Sequence, residues 1–269
     1  MSDAYFERVD DAKFRATNAV QGAWDTRHQH IAPALGLLAH VLEREMIARH
    51  PHPLALGRIS YDILGTLPVD TVEIFAHVIR PGRTIELAQA VLSHGDRPAV
   101  IARAWFLQTN DTDPIAGAPL ASIPHRTELD PWQPSQFWPG EYVTTVDVRR
   151  RESEPGRAQF WMRPRIPLLL GEPASPTARL LGLIDIANGI TPRVPPTDLA
   201  FPNVDLTAHL IRPPVGDWIG CDTTVSFGPH GSGLTHTVLH DVEGPVGTST
   251  QTLALRPHAT RCASQGAAA

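Results

Sequence analysis

The feature that most constrains this chain is that it runs twice through one plan, an apolar helical stretch followed by four strands. In the first pass, GAWDTRHQHIAPALGLLAHVLEREMIARH (22–50) places Ile31, Leu35, Leu38 and Leu42 at steps of four, three and four residues, which is one face of a helix. Pro33 suits its first turn, and the ring of Pro51 disfavours helical backbone just before it, so the helix is expected to stop there. RISYDILGTLPV, TVEIFAHVIRPG, RTIELAQAVLSHGDR and PAVIARAWFLQT follow, each rich in β-branched or aromatic residues and bounded by Pro, Gly or Asp. In the second pass EYVTTVDVRR and GRAQFWMRPRI read as strands and ASPTARLLGLIDIANGI as a helix. Ser175 is its N-cap, Pro176 comes next, Leu180, Leu183 and Ala187 share a face, and Gly189 ends it. A strand meander over 203–255 closes the pass. A helix stripe beside an antiparallel run predicts an α+β layer, with the helix against one face of the sheet. Residues 5–19 fit a strand or a short helix.

The register of the repeat matters more than its most visible string. AHVIRP (76–81) and AHLIRP (208–213) are alike, but pairing them leaves RISYDIL without a counterpart. Aligning LPV (67–69) with PPV (213–215), and RPAV (97–100) with GPV (244–246), matches all four strands. Gln251 then corresponds to Ala104, and Asp205 falls near Ser60. The polar residues Asp205, Ser226 and Gln251 therefore belong to the second half alone.

These passes divide the 269 residues into an N-terminal unit (1–110), a Pro-rich connection (111–140), a C-terminal unit (141–258) and a tail (259–269). The 26 prolines, about twice the usual ~5% share, concentrate between elements. Trp132, Phe137 and Trp138 imply that the connection is tied down to the surface. A net charge of −5 without a basic face argues against nucleic acid as a partner, and Arg149 to Arg151 read as a solvated linker. The N-terminus carries charges where a secretory signal has an apolar core, and no window has membrane-spanning length, so a cytoplasmic location is expected. The two cysteines, Cys221 and Cys262, build neither a disulfide framework nor a metal site.

LIDIANGI, FPNVDLTAHLIRPP, GDWIG and GTSTQTLALR, set in the tandem layout, resemble the acyl-CoA thioesterase II family. The likeness covers roughly 14–257. It implies two fused hotdog domains, each a long helix packed against a curved antiparallel sheet, and hydrolysis of acyl-CoA to free acid and CoA in lipid metabolism, without cofactor or metal. It also implies a homodimer. In that family an Asp, a Thr and a Gln on successive strands hold the hydrolytic water. Those positions fall on Asp205, Ser226 and Gln251, with Thr224 on the same strand face as Ser226. A carboxylate takes a proton from water, and the hydroxyl and amide orient it. Donors for the carbonyl oxygen would come from the first helix near His30, Ile31 and Ala32, where the family's Gly-Gly step is absent. Asp185, in the second helix, fits the lining of the cleft and equally a helix-dipole or capping role.

Duller roles attach to the same residues, since an Asp, Ser or Gln in a strand is commonly solvated or paired. The spaced histidines (28/30, 50/52, 236/240) lack the carboxylates a metal centre needs. Residues 228–233, GPHGSG, read as a hairpin turn and not a phosphate loop. Trp105, Phe106 and the IPLLL run fit either core or acyl-tunnel lining. Two other functions fit the sequence: an acyl-thioester binder without catalysis, and a hotdog enoyl-CoA hydratase using Asp25 and His30, whose spacing matches but whose intervening TRHQ lacks the usual Asn-Pro.

Overall fold

A computed structural model describes residues 2–50, 52 and 54–258. The tail 259–269, with Cys262, and the helix-stopping Pro51 lie outside them. The elements run β1 (Phe6–Arg8), β2 (Lys13–Ala16), α1 (Ile31–Arg49), β3 (Ala55–Ile63), β4 (Thr71–Arg80), β5 (Ile85–His94) and β6 (Arg97–Leu107) in the first half. The second half holds β7 (Asp130–Trp132), β8 (Val146–Glu154), β9 (Arg157–Pro164), α2 (Pro176–Leu181), α3 (Ala187–Ile190), β10 (Leu199–Ala200), β11 (Asp205–Leu210), β12 (Ile219–Phe227), β13 (Ser232–Asp241), β14 (Gly244–Ala254) and β15 (Arg256–Pro257). Residues 5–19 are thus mainly two short strands.

Thirteen strands form one sheet in the order β1-β2-β4-β5-β6-β3-β11-β14-β13-β12-β9-β8-β7. The runs β4-β5-β6-β3 and β12-β13-β14-β11 are the same sequence of strands in mirror order, and they meet where β3 pairs antiparallel with β11. The strand matching read from the Pro-Val steps therefore holds. AHVIRP lies on β4 and AHLIRP starts on β11, which occupy different places in the two halves. This is an α+β fold of the hotdog kind.

The helix is not the one-sided stripe that the leucine spacing predicts. Ala32 to His40 are all buried, on every face. The sheet covers one side through β4, β5 and β6, and α2 covers the other. A methyl group on Gly36 would stand 2.8 Å from the Ala178 carbonyl oxygen and 2.8 Å from the Gly182 α-carbon, so the helices touch backbone to backbone.

Beyond Ser175, whose hydroxyl accepts the Ala178 amide at 2.9 Å, the second helix departs from the continuous helix expected. It is broken after Leu181: Gly182 sits against Gly36, a tight 3-10 turn spans Ile184–Ile186, and α3 resumes and runs through Gly189 to Ile190. The break presents Asp185 sideways into the space between the helices and the strands.

The 111–140 connection is fastened to the body. Trp138 donates to the Gly189 carbonyl at 3.0 Å, Trp161 to that of Pro124 at 2.8 Å, and Trp132 stacks on Phe137 at 5.1 Å. Arg149 to Arg151 are not a solvated linker. They lie within β8, where Arg149 and Arg151 hold the carbonyls of Leu129 and Glu128. Among the described residues, no helix is long and apolar enough to cross a membrane.

Candidate active site

Asp185 lies at the centre of this arrangement. It sits between buried Ile184 and Ile186 and is itself 4% exposed. Its Oδ1 accepts from Asn203 Nδ2 at 2.7 Å and from Gln251 Nε2 at 3.3 Å, and the same Nε2 lies 2.9 Å from the Asp185 carbonyl oxygen. Burial pushes the carboxyl up to about 6, against the pull of the Asn203 and Gln251 hydrogen bonds. Both donors go to one oxygen. Oδ2 is left toward His30, 3.7 Å from its Nδ1.

Strand parity explains how Gln251 arrives there. On β14, Ser249, Gln251 and Leu253 are buried and alternate with the outward Thr250 and Thr252. Across the pair, Gln251 faces Thr235 of β13. Gln251 Oε1 and Thr235 Oγ1 are both buried without a hydrogen-bond partner among the described residues.

His30 caps α1. Its Nδ1 accepts the Ala32 amide at 3.2 Å, which leaves Nε2 to carry the proton. Burial pushes the imidazole down to about 3, so it stays neutral. The ring packs on Tyr142 at 4.3 Å, whose hydroxyl donates to the Gly182 carbonyl at 3.0 Å. Hence the cap of the first helix, the break in the second and the connection's end are held as one unit.

A cleft of about 400 Å³ opens on this group, lined by His30, Ile31, Asp185, Asn188 and Asn203, with Arg256 also in its wall. A larger hollow of about 660 Å³ lies elsewhere, beside Asp147, Arg163 and Arg165. Its charges answer one another, since Asp147 accepts from Arg163 at 2.8 Å and Arg165 at 2.6 Å, and Glu172 accepts from Arg8 at 2.7 Å. Among the described residues, no cluster of His, Cys, Asp or Glu is arranged to hold a metal ion.

The structure brings Gln251, Asp185, His30 and Ile31 together. It does not bring Asp205 or Ser226 to them. Asp205 alternates with the buried Leu206 and Ala208, and its Oδ1 accepts the amide of Thr252, on the sheet face opposite to Gln251. Ser226 is exposed, beside buried Val225, and Thr224 shares its outward row with its hydroxyl 3.5 Å from the His236 carbonyl. The inward hydroxyl of β12 is that of Thr223, bonded to Thr237 at 2.9 Å. At the helix start, the Ala32 amide is taken by the His30 ring, whereas the Ile31 amide, first in the helix, has no intrahelical acceptor. Asp25 bonds Arg27 at 2.7 Å and stands outside the His30–Asp185 contact. Asn203 and Thr235 were not among the residues predicted. An ionisable side chain between two isoleucines, as in LIDIANGI, was the available signal for Asp185 as a buried centre.

The sequence profile of the acyl-CoA thioesterase N-terminal domain matches residues 20–107, and that of the C-terminal domain matches 119–255. The chain belongs to the acyl-CoA thioesterase family. No functionally curated protein matches this member of the family. Among solved structures, it is similar to a candidate thioesterase from Novosphingobium aromaticivorans, at TM-score 0.72 and 15% identity over 94% of this chain and 98% of that one. It is also similar to a hot dog fold protein of unknown function from Alicyclobacillus acidocaldarius (TM-score 0.71, 15% identity, 95% and 97% covered). The acyl-CoA thioesterase II TesB2 of Mycobacterium marinum matches at TM-score 0.67 and 15% identity, with 95% and 97% covered. At such identities these likenesses show the fold of this acyl-CoA thioesterase family member, and its chemistry has to be read from Asp185 and its neighbours.

Proposed function

We propose that the protein hydrolyses acyl-CoA thioesters, with Asp185 as the base that activates water. The observation that carries this is the asymmetry of the carboxylate. Asn203 and Gln251 saturate Oδ1, and Oδ2 remains for a nucleophilic water. A carboxyl pushed up to about 6 is ionised at neutral pH and is a better base than an exposed aspartate.

Oδ2 takes a proton as the water oxygen bonds to the thioester carbonyl carbon. The negative charge that develops on the carbonyl oxygen is met by His30 Nε2–H and the Ile31 amide, donors already fixed by the helix start. On collapse the C–S bond breaks, the proton on Asp185 passes to the sulfur, and acid and CoA thiol leave. Asn203 and Gln251 position the base and do not touch the substrate carbonyl. Turnover of an acyl-CoA by the unmutated protein, lost in Asp185→Asn but kept in Asp205→Asn and Ser226→Ala, is the expected result. Retention in Asp185→Asn overturns the assignment.

A further inference from the structure

Two cavities meet at Ala23, Trp24, His30 and Asn188, which line both. One is the cleft at Asp185. The other is an apolar slot that continues past His30 between Trp138, Val146 and Ile190, with a free volume of about 40 Å³. That is about a tenth of the roughly 400 Å³ in the cleft, so the slot is narrow.

Two tryptophans in contact with each other wall this slot, and they are held differently. Trp138 is 7% exposed and its indole N–H is fixed on the Gly189 carbonyl at 3.0 Å. Trp24 is 46% exposed, and among the described residues its indole N–H has no hydrogen-bond partner. It is carried by a loop closed at its neck by the Gly22 amide on the His28 carbonyl at 2.7 Å. Its ring meets those of Trp138 and Phe201 edge-on, with centroids at 4.8 Å and 5.3 Å.

We propose that Trp24 is the gate and length limit of the acyl subsite, and that the substrates are short-chain acyl-CoAs. This rests on the hydrolytic reading of Asp185 given above. With the thioester carbonyl at His30 and Asp185, the acyl chain enters the slot, whose small volume favours a chain of a few carbons. A longer chain has to displace the Trp24 ring from its contacts with Trp138 and Phe201.

The test is a series of acetyl-, butyryl-, octanoyl- and palmitoyl-CoA against the unmutated protein, Trp24→Phe and Trp24→Ala. The unmutated protein should show its highest kcat/KM at acetyl or butyryl, falling at least about tenfold by octanoyl. Trp24→Ala should raise the octanoyl-to-butyryl ratio by about tenfold or more, and Trp24→Phe should lie between. The same ranking should appear in acyl-CoA binding to Asp185→Asn with and without Trp24→Ala, measured by calorimetry. Octanoyl- or palmitoyl-CoA handled as well as butyryl-CoA by the unmutated protein, or a profile that Trp24→Ala leaves unmoved, overturns the gate. Absence of turnover with the short-chain limit still present in binding would remove the hydrolytic reading and leave the subsite standing. No binding by any member of the series would remove both.

Discussion

Gln251 Nε2 lies 2.9 Å from the Asp185 carbonyl oxygen and 3.3 Å from its Oδ1, so one side-chain amide holds both the backbone and the carboxylate of a residue 66 positions away. That contact ties β14 to the broken second helix and fixes which carboxylate oxygen is free. The chemical consequences can be measured one at a time.

Asp185→Asn keeps the shape of the side chain and removes the base. A general base is worth about 10²- to 10⁴-fold, so kcat should fall by that factor while acyl-CoA affinity stays within a few-fold. Steady-state kinetics and calorimetric binding together check it. A loss confined to KM would make Asp185 a binding residue.

The rate should follow the ionisation of the same carboxyl. Asp185 acts as its anion and is pushed up to about 6, so kcat/KM should rise about tenfold per pH unit below 6 and level off above it. His30 is pushed down to about 3 and stays neutral across this range, so its titration adds no further inflection near neutrality. A pH–rate profile that is flat between 5 and 7 would remove Asp185 from the base role.

Stability should run in the opposite sense to activity. The folded pKa of Asp185 lies above its ordinary value of 3.8, so between 3.8 and about 6 the native state binds more protons than the unfolded chain. Stability from this group is therefore lost as pH rises through that window, by on the order of 3 kcal/mol. Asp185→Asn should unfold at higher urea than the unmutated protein at pH 8, and the difference should shrink toward pH 4. Equal midpoints at both pH values would mean that the carboxylate carries no burial cost.

Gln251→Ala deletes one of the two donors on Oδ1. The anion loses a stabilising hydrogen bond, so the inflection in the pH–rate profile should move upward as kcat falls. A merely structural role for Gln251 would lower the rate without displacing the inflection.

The main strands and their correspondence between the halves are readable because alternation and the Pro-Val steps are local signals, and two copies of the plan constrain each other. The site was less readable because strand parity depends on pairing. Asp205 is flanked by the apolar Val204 and Leu206 and Gln251 by two threonines, and the register Thr207 with Thr250 puts Asp205 on the face of Thr252 and Leu206 on the face of Gln251. Nothing in either strand taken alone fixes that relation. Ser226 fails for the same reason, one residue out of phase with the inward Thr223 and Val225. The role of Asp185 is not legible because its spacing fits an unbroken helix through Gly182, and a side chain in mid-helix has no evident route to two strands.

The break at Gly182 lies against Gly36, which gives a last test that joins packing to chemistry. A methyl group at Gly36 would meet the Ala178 carbonyl oxygen and the Gly182 α-carbon at 2.8 Å, and both are backbone atoms that cannot rotate away. The helices have to separate, at a cost of about 1–3 kcal/mol as in other overpacked cores. For a chain of this size that lowers Tm by about 2–4 °C per kcal/mol. Because Gly182 precedes Asp185 by three residues and accepts the Tyr142 hydroxyl at 3.0 Å, the displacement should reach the carboxylate and its His30 neighbour. Gly36→Ala is therefore expected to lower both Tm and kcat. Gly117→Ala, where a methyl group meets nothing within 4 Å, should change neither. A Gly36→Ala protein with unaltered Tm would mean that the two helices do not approach through this glycine, and one with lowered Tm but unaltered kcat would uncouple the helix contact from Asp185.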